Sequence, residues 1–257
     1  MNTDAELAVR LVREAGALAA HMRTEGLDAE QKTSISDVVT AADHAAEHLV
    51  TTALVAERPD DAILGEEGTS HAGTSGRRWV IDPVDGTYNF FSGMTYWCSA
   101  LALQDGALPD EDGVVLGAVH QPQADETWLG GPDLPTTLNG VPVAPLMDRP
   151  LAECSLATYI HPGTLDDPGK GGVWRTIVDA VSTPRMLGSG SCDLAGVAGG
   201  RVGLFAGHSC PEWDWLPGKA LVEAAGGHTE VIELHGTRWH LAGNRRAVQE
   251  LLSRLDS

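Results

Sequence analysis

Apolar residues recur at helical spacing in two segments near the start of the chain. Residues 4–23 place leucines and valines on one face, which predicts a surface helix. A second helix is predicted from near Thr40 to about Glu57, because Pro59 stops it. The segment between them, 26–37, is predicted to be a polar loop.

Short apolar runs bounded by turn residues predict strands in the middle of the chain. These runs lie at 62–65, at 77–82, twice within 98–122 and at 126–131, and an Asn-Gly pair in 138–143 predicts a hairpin. Residues 70–76 are predicted to be a loop, and Pro83 is predicted to turn the chain after the second strand. Beyond about residue 145, strands alternate with helices. The pattern predicts an N-terminal α+β half, 1–145, and a C-terminal α/β half, 146–257.

Composition is that of an ordinary soluble globular protein, with 42 % hydrophobic and 21 % charged residues. No run approaches the roughly 20 apolar residues that a membrane span requires. The mixed-charge N-terminus does not resemble a signal peptide, so a cytoplasmic protein without a membrane partner is expected. The four cysteines lie far apart without a CxxC pair, which favours buried reduced thiols over a zinc or disulfide framework.

The net charge of −19 narrows the choice of partners. Such a surface repels polyanions, so nucleic-acid binding is not expected. A small phosphorylated substrate would also be repelled unless cations intervened.

Two aspartates in WVIDPVDGT are the first candidate ligands. Asp82 ends a predicted strand, and Asp85 follows across a turn that Pro83 stiffens, so both can converge on one ion. Oxygen ligands of this kind suit Mg²⁺ or Mn²⁺. The backbone N–H groups of Gly86 and Thr87 could hold a phosphate if a helix begins there. An Asp-Pro turn followed by an Asp-Gly hairpin is the structural alternative.

Two further acidic positions are candidates. Glu66 and Glu67 leave a predicted strand with adjacent side chains pointing apart, so one can bind metal while the other polarises a water; a solvated acidic turn is the alternative. Asp214 lies just before a predicted helix, where Asp also serves as an N-cap.

Together these segments resemble the inositol monophosphatase family, within the wider superfamily of lithium-sensitive phosphatases. The resemblance rests on GEE at 65–67, WVIDPVDGTYNF at 79–90 and WD at 213–214, in that order. KTSISDVVTAAD at 32–43 and RMLGSGSCDLAGVAGGRVGLF at 185–205 extend it over nearly the whole chain. It implies a layered αβαβα sandwich of the inositol monophosphatase and fructose bisphosphatase type, and a homodimer.

The resemblance implies two or three Mg²⁺ ions per active site, with Li⁺ as an inhibitor. Glu66, Asp82 and the Val84 carbonyl would bind the first ion, Asp82, Asp85 and Asp214 the second, and Glu66 a weaker third. Carboxylates gathered in one pocket repel one another by several kcal/mol per pair at ~4 Å, and divalent cations offset this repulsion.

Catalytic roles are implied for three further matched residues. Thr87 and Glu67 would orient or deprotonate the attacking water, with Asp43 supporting Thr87. Gly86 and Thr87 would hold the phosphate through their N–H groups, and Lys32 would lie on a loop over the site.

The expected substrate is inositol 1-phosphate, with broad specificity. The leaving group is expected to meet residues 188–190, including Ser189 and Gly190, and residues 207–212. In inositol phosphatases of this family a glutamate seven residues before the WD aspartate contacts substrate hydroxyls, and here that position is Gly207. Histidinol phosphate phosphatase is therefore the alternative, and fructose bisphosphatase is less favoured.

Two remote alternatives belong to other functional classes. His44, Glu47 and His48 match the HxxEH pattern of a zinc peptidase class, although histidines on an ordinary amphipathic helix explain the same letters. A non-catalytic binding protein of the same fold is the second, but such members should lose ligands, and every expected carboxylate is present.

Overall fold

The computed structural model describes residues 3–26, 29–31, 38–108 and 112–256. Within those ranges the helices are α1 (Asp4–Glu25), α2 (Ala41–Glu57), α3 (Thr87–Phe91), α4 (Val173–Val178), α5 (Gly190–Ala198), α6 (Glu212–Ala224) and α7 (Arg245–Leu255). Short 3-10 helices occupy Leu151–Glu153 and Pro162–Thr164, and a π-helical turn occupies Pro168–Gly172.

The strands form one small ladder and two larger sheets. They are β1 (Ala29–Gln31), β2 (Val38–Thr40), β3 (Ala62–Gly65), β4 (Ser70–His71), β5 (Arg77–Asp85), β6 (Cys98–Asp105), β7 (Val114–Gln121), β8 (Glu126–Gly131), β9 (Leu134–Leu138), β10 (Val141–Pro142), β11 (Ser155–Thr158), β12 (Thr183–Arg185), β13 (Leu204–His208), β14 (His228–Leu234) and β15 (Thr237–Gly243). The eight-stranded sheet has the order β10-β9-β8-β7-β6-β5-β3-β4, and the five-stranded sheet β12-β11-β13-β15-β14. Antiparallel pairing dominates the first sheet, whereas β11 runs parallel to β12 and β13 in the second.

Three hydrophobic clusters stack these elements into five layers. α1 and α2 cover one face of the large sheet, with Leu11 and Leu54 packed near Trp79. α5 and α6 lie between the two sheets, and α4 and α7 cover the outer face of the small sheet. Each sheet thus buries both faces against helices, which confirms the αβαβα sandwich expected from the sequence.

The predicted helices and main strands are confirmed, with three corrections. The turn predicted at Pro83 is wrong, since β5 continues to Asp85. Residues 29–31 and 70–71, placed in predicted loops, form the short strands β1 and β4. The edge strands β12 and β14 were not predicted, because their partial exposure along the whole strand removes the alternation that marks a half-buried strand.

The division of the chain near residue 145 stays a prediction. The cluster between the sheets joins residues from both sides of that point, such as Trp128 and Leu221. None of the described helices combines the length and the apolar composition that a membrane crossing requires.

Candidate active site

A bulge at the end of β5 brings two aspartates to the same side of the sheet. Three steps along β5, from Asp82 to Asp85, span only two steps on the paired strand β6, residues 98–100. Pro83 has no N–H to give the ladder, and its carbonyl instead accepts a hydrogen bond from the Ser99 hydroxyl at 2.6 Å. On a regular strand, side chains three residues apart face opposite ways, and the bulge cancels that alternation.

The third carboxylate comes from the C-terminal part of the chain. Asp214 lies in the first turn of α6, whose N-cap is Pro211, so the alternative of Asp214 as the N-cap is wrong. One oxygen from each of Asp82, Asp85 and Asp214 lies within 4.8 Å of the others. The N-terminal turn of a helix favours negative charge, which makes this a suitable place for a carboxylate.

Burial and mutual repulsion disfavour the state in which all three aspartates are ionised without a bound cation. Burial raises the pKa of Asp82 most, and the charges of Glu66, Asp85 and Asp214 raise it further. Burial also raises the pKa of Asp214 and of Asp85, although the Ser191 N–H bound to Asp85 opposes the latter. The Asp82 Oδ1 atom is buried without a hydrogen-bond partner among the described residues. A set of buried carboxylate oxygens with unused acceptor capacity fits a hard divalent cation such as Mg²⁺.

Glu66 and Glu67 lie in the turn that connects β3 to β4. Glu47 of α2, which is 2 % exposed, accepts hydrogen bonds from the N–H groups of Glu67 at 2.8 Å and Thr69 at 3.0 Å. A Cβ atom on Gly65 would lie 2.3 Å from the Glu47 carboxylate, so the absence of a side chain there makes room for it. Glu47 thus fixes the backbone that carries the two acidic side chains.

Thr87 is connected to a buried aspartate. Its hydroxyl lies 3.2 Å from Asp43 Oδ1 and 3.0 Å from the Val84 carbonyl oxygen, both of which are acceptors. The Thr40 N–H donates to the other Asp43 oxygen at 3.0 Å. Burial, followed by the nearby charge of Glu67, raises the pKa of Asp43 to about 6. Thr87, Asp43 and Glu67 therefore form one electrostatically connected group.

Two loops face each other beside the aspartates. Gly86 has φ of +91°, and a Cβ there would lie 3.1 Å from the Gly188 carbonyl oxygen, so this position requires glycine. Ser189 caps α5, accepting a backbone N–H at 3.3 Å. Gly86, Thr87, Ser189 and Gly190 line the same cavity as the three aspartates, with a volume of about 630 Å³.

The other residues expected at the site differ in where the structure places them. Glu66 and Val84 also line the cavity. Lys32 lies outside the described residues. Glu212, the last residue of the segment 207–212 that was expected to meet the leaving group, forms an ion pair with Arg78 and is not among the described residues that line the cavity.

The zinc peptidase alternative is wrong. His44 and His48 are exposed, whereas Glu47 is buried and bound to backbone N–H groups. Among the described residues, no histidine belongs to a group of three or more potential metal ligands.

Sequence reasoning missed Glu47 as part of the site. It also missed the pair in which the hydroxyl of the half-buried Tyr96 donates to the buried Asp193 at 2.8 Å. The signal for Glu47 was a charged residue on the apolar face of α2, beside Ala46 and Val50. Charged residues are rarely fully buried unless they have a partner.

Comparison with known proteins agrees with this geometry. The model of the inositol monophosphatase family matches residues 1–254. The chain is 32 % identical to an inositol monophosphatase of Mesembryanthemum crystallinum over 74 % of this chain and 72 % of that one. It is 31 % identical to a histidinol-phosphatase of Chlorobaculum parvum, over 88 % and 85 % of the two chains. The solved structure of the extragenic suppressor protein suhB from Bartonella henselae superimposes with a TM-score of 0.86 at 26 % identity, covering 98 % of each chain. The protein therefore belongs to the inositol monophosphatase family, whose members are phosphatases of phosphomonoesters.

Proposed function

We propose that the protein hydrolyses small phosphomonoesters with Mg²⁺, and that inositol 1-phosphate is one of several substrates, cleaved without a strong preference. The convergence of Asp82, Asp85 and Asp214 within 4.8 Å, beside the Thr87–Asp43 pair, carries this proposal. A chain of net charge −19 needs cations at this point to accept a phosphate dianion.

The metal ligands follow from the chemistry of the donors. Glu66, Asp82 and the Val84 carbonyl would hold one ion, Asp82, Asp85 and Asp214 a second, and Glu66 a weaker third. Bound Mg²⁺ would supply Lewis-acid polarisation and charge stabilisation for the phosphoryl group. Li⁺ is expected to inhibit by competing for these oxygen ligands.

The residues beside the cluster would handle the attacking water. Glu67 and the Thr87 hydroxyl would orient it or accept its proton, and Asp43, when ionised, would hold the Thr87 hydroxyl in position. The water oxygen bonds to phosphorus, the ester P–O bond breaks, and the leaving oxygen takes a proton. The Thr87 hydroxyl has one proton and two acceptors within reach, Asp43 Oδ1 at 3.2 Å and the Val84 carbonyl at 3.0 Å, and these two groups restrict its orientation.

The phosphate would lie between the two loops that face each other across the cavity. Gly86 and Thr87 would offer backbone N–H groups, Ser189 and Gly190 would border the leaving group, and Lys32 would approach from its loop. A generic phosphate end of this kind supports broad specificity.

Histidinol phosphate is the second candidate substrate. The relative named histidinol-phosphatase matches most of this chain, and position 207 carries no carboxylate to bind polyol hydroxyls. A homodimer in the cytoplasm remains part of the proposal, and sedimentation of the purified protein tests the oligomeric state.

A substrate panel tests the proposed function. We expect Mg²⁺-dependent release of phosphate from inositol 1-phosphate, histidinol phosphate, glycerol 2-phosphate and fructose 1,6-bisphosphate, abolished by EDTA and inhibited by Li⁺. A preference above roughly a hundredfold for histidinol phosphate, in kcat/KM, would establish the second candidate. Metal binding without turnover of any of the four would favour the non-catalytic alternative.

A further inference from the structure

Four large apolar side chains are exposed around the mouth of the active-site cavity. Tyr88, Met94, Tyr159 and Met186 are 50 %, 51 %, 49 % and 48 % exposed, and all four line the cavity. They come from α3, from the loop before β6, from the position directly after β11 and from the loop before α5. Apolar side chains that gather from separate elements at a cavity mouth are typical of a ligand site.

The wall behind this rim is also apolar. A Cβ atom on Gly207 would lie 2.8 Å from the Cys210 sulfur and 2.9 Å from the Phe205 ring, so these two side chains fill the space into which a side chain at 207 would project. Phe205 packs in turn on Trp215, with ring centroids 6.3 Å apart. The wall at Gly207 is therefore apolar, and a side chain at 207 would have to displace Cys210 or Phe205.

The carboxylates of the cavity belong to the candidate metal cluster or accept a hydrogen bond from a neighbouring hydroxyl. Those among the described lining residues are Glu66, Asp82, Asp85, Asp193 and Asp214. Asp193 accepts the Tyr96 hydroxyl, and the other four belong to the candidate metal cluster. A polyol leaving group would therefore meet no carboxylate outside these groups among the described lining residues, and the exposed tyrosines and methionines share the lining with His161, His208 and Ser209.

We propose that the leaving-group end of the cavity binds a planar aromatic or heteroaromatic ring, so that phosphomonoesters carrying such a ring are preferred to polyol phosphates. The ring would stack on tyrosine and contact the methionine thioethers, both of which favour flat, polarisable partners. A cavity of about 630 Å³ has room for a ring in addition to the phosphate. This inference rests on the proposed function and adds only the class of leaving group.

Matched substrates test the proposal. 2-Phenylethyl phosphate and 2-cyclohexylethyl phosphate have similar ester bonds and similar size and differ in the planarity of the ring, and glycerol 2-phosphate reports general turnover. We expect kcat/KM for the phenyl compound to exceed that for the cyclohexyl compound by about tenfold, mainly through KM, the factor that a typical aromatic contact supplies. Tyr159→Ala and Met186→Ala should each bring this ratio towards one, and Tyr159→Trp should retain it.

Met147→Ala is the matched control, because Met147 is 77 % exposed and lies outside the described lining of this cavity. It should leave the ratio unchanged. Mg²⁺-dependent hydrolysis of glycerol 2-phosphate with equal rates for the two ring compounds would overturn the ring proposal and leave the proposed function standing. A change of oligomeric state in Tyr159→Ala without a change in the ratio would instead assign the rim to a protein interface. No hydrolysis of any of the three would overturn the proposed function, and this inference with it.

Discussion

The carboxylate of Glu47 accepts a hydrogen bond of 2.8 Å from the backbone N–H of Glu67, twenty residues along the chain. A second bond, from the N–H of Thr69 at 3.0 Å, uses the other carboxylate oxygen. An ionised acceptor buried against backbone donors forms stronger hydrogen bonds than a neutral one. The turn that presents Glu66 and Glu67 to the site is therefore held from α2.

Replacing Glu47 should disturb the site without touching the candidate ligands. We expect Glu47→Ala to leave the N–H groups of the partly buried Glu67 and Thr69 without their acceptor, at a cost of roughly 2–4 kcal/mol in the free energy of unfolding. It should also raise the Mg²⁺ concentration that gives half-maximal activity, because Glu66 loses its fixed backbone. Urea unfolding and metal titration measure the two effects.

Glu47→Gln, which keeps one acceptor oxygen, should give values between those of the wild type and Glu47→Ala. His48→Ala, on the exposed side of the same helix, should behave as the wild type; a metal requirement unchanged in Glu47→Ala would contradict this role.

Asp82→Asn should separate activity from stability. Asp82 is the most crowded carboxylate of the cluster, so its neutral replacement should abolish Mg²⁺-dependent turnover and, in EDTA near neutral pH, raise the melting temperature by relieving repulsion. A relief of about 1 kcal/mol corresponds to a rise of roughly 2–4 °C in a chain of this size. Calorimetry with and without Mg²⁺ measures the effect, and Asp166→Asn, fully exposed, is the charge-matched control. More than a tenth of the wild-type kcat in Asp82→Asn would contradict the assignment of Asp82 as a metal ligand. Asp214→Asn tests the ligand from α6 in the same way.

Glu67→Gln should affect the chemical step more than metal binding. We expect kcat to fall by roughly 10²–10⁴-fold, the range for loss of a general base, with little change in the Mg²⁺ dependence. Glu66→Gln is the matched neighbour and should weaken Mg²⁺ binding. The opposite outcome for the two variants would exchange the roles of the two glutamates.

Asp43 should set the acidic limit of activity. Its pKa of about 6, raised mainly by burial, means that the acceptor of the Thr87 hydroxyl is protonated below that pH. Bound cations lower the pKa of a nearby carboxyl, so we expect kcat at saturating Mg²⁺ to fall with decreasing pH at or below pH 6, and this limb to be absent from the residual activity of Asp43→Asn.

The stability of the metal-free protein should also depend on the ionisation of Asp43, but it should fall as pH rises, whereas kcat should increase. Because the folded-state pKa of Asp43 lies above its unfolded value, its contribution is complete below about pH 4 and is lost as pH rises through 6. Asp43→Asn should therefore gain stability relative to the wild type across this range. A pH–rate profile identical in the two proteins would remove Asp43 from the site.

Local features of the sequence determined most of the elements. The turn residues Asn139 and Gly140 both adopt positive φ, 49° and 78°, as an Asn-Gly hairpin requires. Thr40 caps α2, and the helix ends at Glu57 before Pro59, as their chemistry predicts. The acidic segments around Glu66, Asp82 and Asp214 were identified because they occur together in the order found in the inositol monophosphatase family, whereas each segment alone also fitted a turn or a helix cap.

Only the tertiary structure determined which of these residues lie close together in space. No local rule predicts that β5 continues past Pro83, because the bulge is defined by pairing with β6, where the Ser99 hydroxyl donates to the Pro83 carbonyl. Asp214 reaches Asp82 and Asp85 because α6 packs between the sheets, and Glu47 holds Glu67 because α2 packs on β5. The apolar rim and the filled space at Gly207 likewise join residues distant along the chain. Local backbone preferences fix elements, whereas distances between side chains far apart in sequence depend on how helices and sheets bury their apolar faces.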